Sequence, residues 1–396
     1  MYIPRQMPGG LRITVVNAAY DPSLPDCDDL LERYETLTDW CDALSDAGAD
    51  VHVVQRFAAD AVRRRGSTDF TFVADGAPPT PPPTAGLRRL VDAVSASRPA
   101  LVHVNGLGFP ALVSALRVAV ALSTPLAVQD HAGVRVPNGR GPLAAWRRAR
   151  WRSGLSAADA ISFSAVDQAQ PWRDAGIIAD QRVLALIESS TRMQPSPRDQ
   201  AIARIGVSGR PLVLWVGRLV RNKDPLTVLA AFEEVVRRHP SAHLAMVFHD
   251  GTLERDVRDT IGASSLLRSS VTLVGSVSHD AMAHWYSAAD VFLSGSHAEG
   301  SGYALIESMA CGLVPVVTAI PSFQAIAGSC GLFWPPEDAA ACASALSSLC
   351  DRDLASARSA VRGRFRGELS WKVIGDRTLT AYRSLVADRA QKAASR

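Results

Sequence analysis

Short apolar runs alternate with amphipathic helical patterns along nearly the whole chain of 396 residues. The runs that predict strands in the first half lie at 11–17, 51–57, 100–105, 125–130 and 161–165. Helical patterns lie between them at 30–48, 87–97 and 109–122, followed by a long basic helix before the last strand. A second series begins with PLVLWVG (211–217) and continues through AHLAMVF, VTLVG, DVFLSG and LVPVVT. Strands joined by helical crossovers indicate parallel sheets covered on both faces.

Two such series predict two doubly wound, Rossmann-like α/β domains that face each other across a cleft, and the length fits two domains. We expect an N-terminal domain over 1–190 and a C-terminal domain over 211–376. The polar, proline-containing stretch 191–210 is the expected linker, and a last helix over 377–396 could return to the first domain. GAPPTPPPTAG (76–86) is expected to be a surface loop.

The composition is that of an ordinary globular protein, with 47% hydrophobic and 20% charged residues. A net charge of +3 gives no case for nucleic-acid binding. The six cysteines form no C-x-x-C pair, so we expect buried free thiols and no metal site. MYIPRQMPGG lacks the apolar core of a signal peptide, and the apolar run 110–122 is too short to span a bilayer. These features predict a cytoplasmic protein, with the inner membrane face as an alternative location.

The first candidate for chemistry is the turn VGRLVRNKD, which follows the strand at 211–217. It contains Gly217, Arg218 and Lys223, and Lys223 is one of only three lysines in the chain. Arginine and lysine together supply the fixed positive charge that a diphosphate requires. The alternative interpretation is a pair of solvated cations on a surface turn.

The second candidate is HAEGSGYALIESMACG (297–312), which links a strand to a helix. Its acids, Glu299 and Glu307, are eight residues apart, and the turn between strand and helix contains Gly300, Ser301 and Gly302. The backbone N–H groups of Tyr303 and Ala304 are candidate donors to a phosphate, because they open the helix. Carboxylates suit the hydroxyls of a ribose or a hexose. The alternative is a helix that begins with acidic residues for dipole reasons, with Glu307 in a partly buried ion pair.

These two segments resemble the donor site of retaining glycosyltransferase family 4, which has the two-domain GT-B architecture and an E-x7-E pair. The resemblance extends over most of 211–385, including ELSWKVIGDRTLTAYRSL near the C-terminus, and is looser over 1–190. It implies a nucleotide-diphosphate sugar donor, no metal and no other cofactor. It also implies that Arg218 and Lys223 hold the diphosphate, Glu299 contacts the transferred sugar, and Glu307 binds the ribose. The turn 301–304 would donate backbone hydrogen bonds to phosphate.

The first half gives weaker signals. His131 follows the strand at 125–130, where members of the family often place a histidine against the sugar, and His103 and Asn105 could also line the cleft. An isolated histidine at a strand end is equally often structural. Three segments depart from the family pattern: AAYDPSLPDC after the first strand, HDGTLE, and IESSTR before the linker. They leave the sugar, the acceptor and the efficiency of the reaction open.

Rival functions rest on other features. Asp26-Cys27-Asp28 matches the D-x-D of manganese-dependent transferases, although acids at a helix start are the simpler interpretation. The altered first loop suggests a binding or regulatory protein that keeps the nucleotide-sugar pocket without catalysis. A nicotinamide-dependent oxidoreductase is disfavoured, because no G-x-G-x-x-G follows a strand.

The acceptor is left open among small molecules, glycans and lipid-linked molecules. The segment 135–152 combines arginines with Trp146 and Trp151, so it could lie on anionic lipid as a peripheral contact. It could equally be a solvated face whose tryptophans pack inward.

Overall fold

The computed structural model describes residues 10–74, 84–130, 133, 136–137, 139, 141–179 and 181–394. The chain divides into two compact units. One comprises Met1–Glu188 together with Trp371–Arg396, and the other comprises Ser189–Ser370. The loop predicted at 76–86 lies mostly outside the described residues.

Unit 1 has one sheet of eight strands. Its strands are β1 (Leu11–Asn17), β2 (Ala49–Phe57), β3 (Ala61–Arg65), β4 (Thr68–Ala74), β5 (Leu101–Asn105), β6 (Leu126–Gln129), β7 (Ala160–Phe163) and β8 (Arg182–Ala185). Its helices before the second unit are α1 (Cys27–Arg33), α2 (Glu35–Asp46), α3 (Thr84–Ala96), α4 (Pro110–Ala119), α5 (Pro142–Leu155) and α6 (Gln170–Asp174).

The strand order in unit 1 is β3-β4-β2-β1-β5-β6-β7-β8, and every pair is parallel except β3–β4. Neighbouring residues on one strand point to opposite faces, so Val15 joins one buried cluster and Val16 the other. Helices cover both clusters, which explains why the buried strands read as continuous apolar runs.

The sequence analysis predicted neither the hairpin of β3 and β4 nor the edge strand β8. β3 reads AVRRR and alternates between partly buried and exposed positions, which are typical of an edge strand rather than an apolar run. Gly66, at φ +57°, makes the tight turn that folds β3 back on β4. The helix predicted over 30–48 is two helices, because the chain leaves the helical conformation at Tyr34, where φ is −110° and ψ is 46°.

Unit 2 has one sheet of six strands. Its strands are β9 (Leu212–Val216), β10 (His243–Val247), β11 (Val271–Gly275), β12 (Val291–Ser294), β13 (Val314–Thr318) and β14 (Leu332–Trp334). Its helices are α7 (Arg198–Ile205), α8 (Pro225–Arg238), α9 (Glu254–Ala263), α10 (Ser265–Ser270), α11 (His279–Ala288), α12 (Tyr303–Ala310), α13 (Pro321–Ala327), α14 (Ala339–Cys350) and α15 (Ala355–Arg364).

The strand order in unit 2 is β11-β10-β9-β12-β13-β14, and every pair is parallel. Counted from β9, this is the 3-2-1-4-5-6 order of a dinucleotide-binding fold. The order reverses between β9 and β12, and a sheet of this kind binds its ligands beyond the carboxyl ends of the strands at such a point. The prediction of two parallel-sheet α/β units is confirmed.

Residues 191–210 include α7 and belong to unit 2. The Ser196 N–H donates to Ser287 Oγ over 3.0 Å, and Arg198 pairs with Asp290 over 2.9 Å. The final helix, α16 (Trp371–Ala394), packs on α2 in unit 1 and begins at Trp371 rather than near 377. Glycine at position 375 permits this packing, because a Cβ there would lie 2.2 Å from Ala43 O. Within the described ranges, no helix is both long enough and apolar enough to cross a bilayer.

Candidate functional site

The two segments singled out by the sequence meet in unit 2 at the switch point of its sheet. Residues 217–224 follow β9, and residues 295–302 follow β12, the strand that pairs directly with β9. The turns leave the same edge of the sheet, because both strands are parallel. The lack of a side chain at Gly295 lets the turns approach closely, since a Cβ there would lie 3.1 Å from Asp224 O and 3.3 Å from Lys223 O.

Lys223 and Glu299 form the central contact of this site. Lys223 Nζ pairs with Glu299 Oε1, and the two side chains are only 26% and 17% exposed. Gly217 contributes space, because a Cβ there would lie 3.5 Å from Lys223 Cδ and 3.3 Å from the Trp215 ring. The lysine is therefore held between the end of β9 and the turn after β12.

A ladder of hydrogen bonds joins the two turns on either side of that ion pair. The His297 N–H donates to Asn222 O over 2.8 Å, and Asn222 Nδ2 donates to Ala298 O over 2.9 Å. His297 Nε2 lies 3.1 Å from Asp224 Oδ2. The sequence analysis missed Asn222, Asp224 and His297 as functional candidates, because no spacing or periodicity links residues that are more than seventy positions apart.

Asp224 has an unusual backbone conformation for a residue with a side chain. Its φ of 45° and ψ of 57° lie in the left-handed region, which costs about 1 kcal/mol for a non-glycine residue. Its carboxylate offsets this cost by accepting from the Thr227 N–H over 3.3 Å, which caps α8. The cap fixes the direction in which the preceding residue, Lys223, leaves the turn.

Arg218 is in the turn after β9, but its side chain is exposed and its ion pair is with Asp250 rather than with Glu299. Its Nε donates to Asp250 Oδ1 over 3.0 Å, and the two side chains are 66% and 59% exposed. The backbone beside it is tightly held, because Leu219 N donates to Asp250 O and Leu253 N donates to Leu219 O. Only glycine fits at position 251, where a Cβ would lie 2.1 Å from Leu219 O. The glycine retained in HDGTLE thus supports the turn that carries Arg218.

The turn 300–304 leads directly into α12. Gly302 is the N-cap residue at φ +63°, and a Cβ there would lie 2.6 Å from Ile326 Cδ1. Ser301 is buried, and its carbonyl accepts from Ser189 Oγ over 2.6 Å. Gly300 is also buried, whereas Tyr303 and Ala304 occupy the first helical positions and are at least partly exposed. The first N–H groups of an α-helix have no partners within the helix, so this end presents donors to an anion.

Glu307 lies one turn further along α12 and contacts Tyr286 of α11. The buried Tyr286 hydroxyl donates to Glu307 Oε2 over 2.9 Å. Burial raises the pKa of the Glu307 carboxyl, and the tyrosine hydrogen bond opposes part of that rise. Burial, and secondarily the nearby Glu307, raises the pKa of the Cys311 thiol to about 12. The ion pair considered for Glu307 in the sequence analysis is replaced by this hydrogen bond to a neutral phenol.

The three candidate residues of the N-terminal half are not brought together as those of unit 2 are. His131 lies outside the described residues. His103 does not line a surface: it is buried, its Nδ1 lies 2.6 Å from the Tyr382 hydroxyl, and its ring packs 4.7 Å from Trp40. It is a core histidine, because β5 is a central strand whose side chains are covered on both faces. Asn105 ends the same strand and is partly exposed.

The D-x-D at 26–28 forms the start of a helix. Asp26 is the N-cap of α1 and accepts from the Asp28 N–H over 2.8 Å, as the helix-start interpretation expects. Asp28 Oδ2 lies 3.4 Å from Arg63 Nε, and Cys27 is buried. Within the part of the chain that the structure describes, no group of three or more His, Cys, Asp or Glu side chains is arranged to hold a metal ion.

Solved structures share the fold of this chain. The sucrose-phosphate synthase of Thermosynechococcus elongatus superposes with a TM-score of 0.70 at 22% identity, covering 96% of this chain and 100% of that one. The E. coli trehalose-6-phosphate protein bound with UDP-2-fluoro glucose gives a TM-score of 0.68 at 11% identity, covering 94% and 98%. At these identities the likeness establishes the fold, which is the GT-B architecture of glycosyltransferases.

Sequence comparison assigns the family. The model described as Glycosyl transferases group 1 matches residues 210–352, and the one described as Glycosyltransferase Family 4 matches residues 35–181. The chain therefore belongs to glycosyltransferase family 4. The D-inositol 3-phosphate glycosyltransferase of Rhodococcus opacus is 30% identical over 203 residues, which are 49% of this chain and 45% of that protein. The chain spans about half the length of the curated relatives that it matches.

Proposed function

We propose that this protein is a retaining, metal-independent glycosyltransferase that moves a sugar from a UDP- or GDP-sugar to an acceptor hydroxyl. The observation that carries the proposal is the contact between Lys223 and Glu299 at the switch point of a dinucleotide-type sheet. It joins a phosphate-binding cation to a carboxylate suited to sugar hydroxyls. Family membership and the UDP-sugar bound to the E. coli protein of the same fold support the choice of donor.

The diphosphate would bind Arg218, Lys223 and the start of α12. The exposed Arg218–Asp250 pair contributes at most about 1 kcal/mol, so a doubly charged diphosphate can replace the aspartate as the partner of Arg218 at little cost. The Lys223 ammonium has three N–H donors, so it can bind a phosphate oxygen while it still contacts Glu299. Two cations and a helix N-terminus would supply the electrostatic stabilisation that other transferases obtain from a metal.

The two acids would bind different parts of the donor. Glu299 lies beside Lys223, so its carboxylate would accept from hydroxyls of the sugar next to the diphosphate. Glu307 lies deeper on α12, with one oxygen occupied by Tyr286, and its other oxygen would accept from the ribose. His131 is proposed to contact the sugar from the N-terminal unit on the family resemblance alone.

Transfer would break the bond between the anomeric carbon and the diphosphate oxygen and form a bond to the acceptor oxygen on the same face. The acceptor proton would pass to a departing phosphate oxygen, so no protein base is required. Arg218 and Lys223 would stabilise the negative charge that develops on the leaving diphosphate. The acceptor is a hydroxyl compound whose identity the described residues do not restrict.

Incubation of the purified chain with labelled UDP- and GDP-sugars, with and without EDTA, tests this function. We expect transfer to an acceptor, or slow donor hydrolysis, with an unchanged rate in EDTA and a product of retained anomeric configuration. Donor binding without either reaction would instead support the regulatory binding protein. A strict manganese requirement would contradict metal independence.

Replacing Glu307 with glutamine is expected to change the pH dependence of donor binding. Because the pKa of the Glu307 carboxyl is raised, the folded chain binds the carboxyl proton more tightly than the unfolded chain does. The free energy of unfolding therefore rises as the pH falls through this raised pKa. The same protonation removes the charged acceptor for ribose, so donor affinity should fall over the same window. Glu307→Gln should bind UDP or GDP about ten-fold more weakly at neutral pH.

Calorimetric titration and thermal unfolding at several pH values check this expectation. The glutamine variant should lose the acid-side fall in affinity and should unfold at an equal or higher temperature at neutral pH. An unchanged nucleotide affinity, or a pH dependence identical to that of the wild type, would show that Glu307 does not bind the ribose.

A further inference from the structure

A long acid-free segment follows β6 in unit 1. Between Asp130 and Asp159 the chain has six arginines and no aspartate or glutamate. The net charge of the whole protein is only +3, so the remainder of the chain is net acidic. Positive charge is therefore concentrated here, and the segment includes the whole of α5 (Pro142–Leu155).

The arginines of α5 divide between the two faces of the helix. Two of them bond to the backbone of unit 1: Arg148 Nη1 donates to Gly139 O over 3.0 Å, and Arg152 Nε donates to Gly176 O. Trp151 also faces inward, with its ring 5.1 Å from that of Trp172. These side chains hold α5 to the rest of unit 1. Trp151 is therefore a tryptophan of the inward-packing kind that the sequence analysis gave as one interpretation of this segment.

The outer face has a different composition. Leu143, Trp146, Arg147 and Arg150 follow the i, i+3, i+4, i+7 spacing of one helix face, and all four are exposed. We call these four residues the basic face. Leu143 is 61% exposed and Trp146 is 57% exposed, and the Arg150 guanidinium lies 5.7 Å from the centre of the Trp146 ring. Leu143 and Trp146 thus leave most of their surface exposed beside two arginines.

The apolar residues of the basic face stand apart from the exposed apolar residues of the neighbouring helix α4. Arg117 pairs with Asp159, and Leu122 O accepts from Arg389, which also pairs with Asp159, so Val118 and Leu122 lie near the C-terminal end of α5. Leu143 and Trp146 lie at its N-terminal end. The basic face therefore offers the apolar area of Leu143 and Trp146 alone.

We propose that the basic face binds the surface of a membrane that contains anionic lipid. Tryptophan favours the interface between headgroups and acyl chains, and arginine binds lipid phosphate as a planar fork. The four residues form a narrow stripe that offers a protein partner little apolar area to bury. A nucleic acid would be bound by the arginines and by stacking of a base on Trp146, and it would leave Leu143 in water. A lipid surface uses all four residues.

Flotation of the full chain with vesicles tests this proposal. We expect binding to vesicles of phosphatidylcholine with about a third phosphatidylglycerol, weak binding to pure phosphatidylcholine, and weaker binding at high salt. Arg147→Gln/Arg150→Gln should lower the partition coefficient on the order of ten-fold, because each arginine near an anionic surface contributes to binding. Leu143→Ala/Trp146→Ala should also lower it several-fold and should reduce the blue shift of tryptophan fluorescence on binding.

The matched control is Arg237→Gln/Arg238→Gln, which removes two exposed arginines from α8 in unit 2. It should leave vesicle binding unchanged. Absence of binding to anionic vesicles would overturn the proposal. Equal loss in the control variant would replace it with a general charge effect. Binding to heparin or RNA that tolerates Leu143→Ala/Trp146→Ala, without vesicle binding, would reassign the face to a polyanion. Each of these outcomes is independent of whether the chain transfers sugar.

Discussion

Lys223→Ala is expected to lower the rate of sugar transfer by a factor on the order of one hundred to one thousand. The ammonium would stabilise the charge that develops on the leaving diphosphate, and it pairs directly with Glu299 beside the proposed position of the sugar. The fold should persist, because Glu299 keeps some exposure to solvent and can be hydrated once Lys223 is removed. Turnover of a UDP- or GDP-sugar and thermal unfolding, measured on the same preparation, check both statements.

Lys372→Ala is the matched control for this variant. Lys372 is 84% exposed on α16, where its Nζ pairs with Asp376 over 2.8 Å. Its removal deletes the same charge from the chain and should leave turnover unchanged. A near-normal rate for Lys223→Ala would exclude Lys223 from stabilising the leaving group, and a large loss of stability in that variant would make its role structural.

Glu299→Gln is expected to reduce kcat about a hundred-fold and to change KM much less. Glutamine can still accept from Lys223, so the two turns should stay together, while the charge beside the transferred sugar is lost. Interactions that strengthen as charge develops on the sugar affect kcat, whereas ribose binding affects the ground state and the transition state alike. Glu307→Gln should therefore raise KM and change kcat much less.

Glu35→Gln provides the control for an acid that also pairs with a basic side chain. Glu35 Oε1 lies 3.3 Å from Arg65 Nη2 in unit 1, and its loss should not affect kcat or KM. If Glu299→Gln and Glu307→Gln changed kcat and KM in the same proportions, the assignment of sugar to one acid and ribose to the other would be abandoned.

The strands that run through the two sheets were predictable because they are buried on both faces. Such strands must be apolar throughout, so β1, β2, β5, β6 and β9 are visible as runs of Val, Ile and Leu. β3 and β8 lie at sheet edges, where half of the side chains can be polar and the apolar run disappears. β14 is apolar but only three residues long, and β4 is an interior strand whose apolar residues are interrupted by Thr68, Asp69 and Thr71, so neither was predicted. The break at Tyr34 follows from a local backbone conformation for which the sequence has no glycine or proline signal.

The candidate site was predictable to the extent that it is local in sequence. Gly217, Lys223, Glu299 and Glu307 stand in two short segments that each follow a strand, so their chemistry could be inferred without coordinates. His103 shows the limit of that inference, because a strand end does not reveal whether its side chain faces a ligand or Tyr382 in the core. Sequence analysis could not resolve this, since burial depends on the helix that covers the strand.

By itself, the sequence determined that this protein has two parallel-sheet units. It also determined that the basic residues of the candidate site follow β9 and that its acidic residues follow β12. Only the tertiary structure decided that Lys223 contacts Glu299, that Asp224 and His297 join the two turns, and that Trp151 faces inward while Trp146 faces out. The physical reason is that hydrophobic period and turn chemistry act within a few residues. Contacts between distant segments are set by strand order and by the close approach that residues such as Gly295 permit.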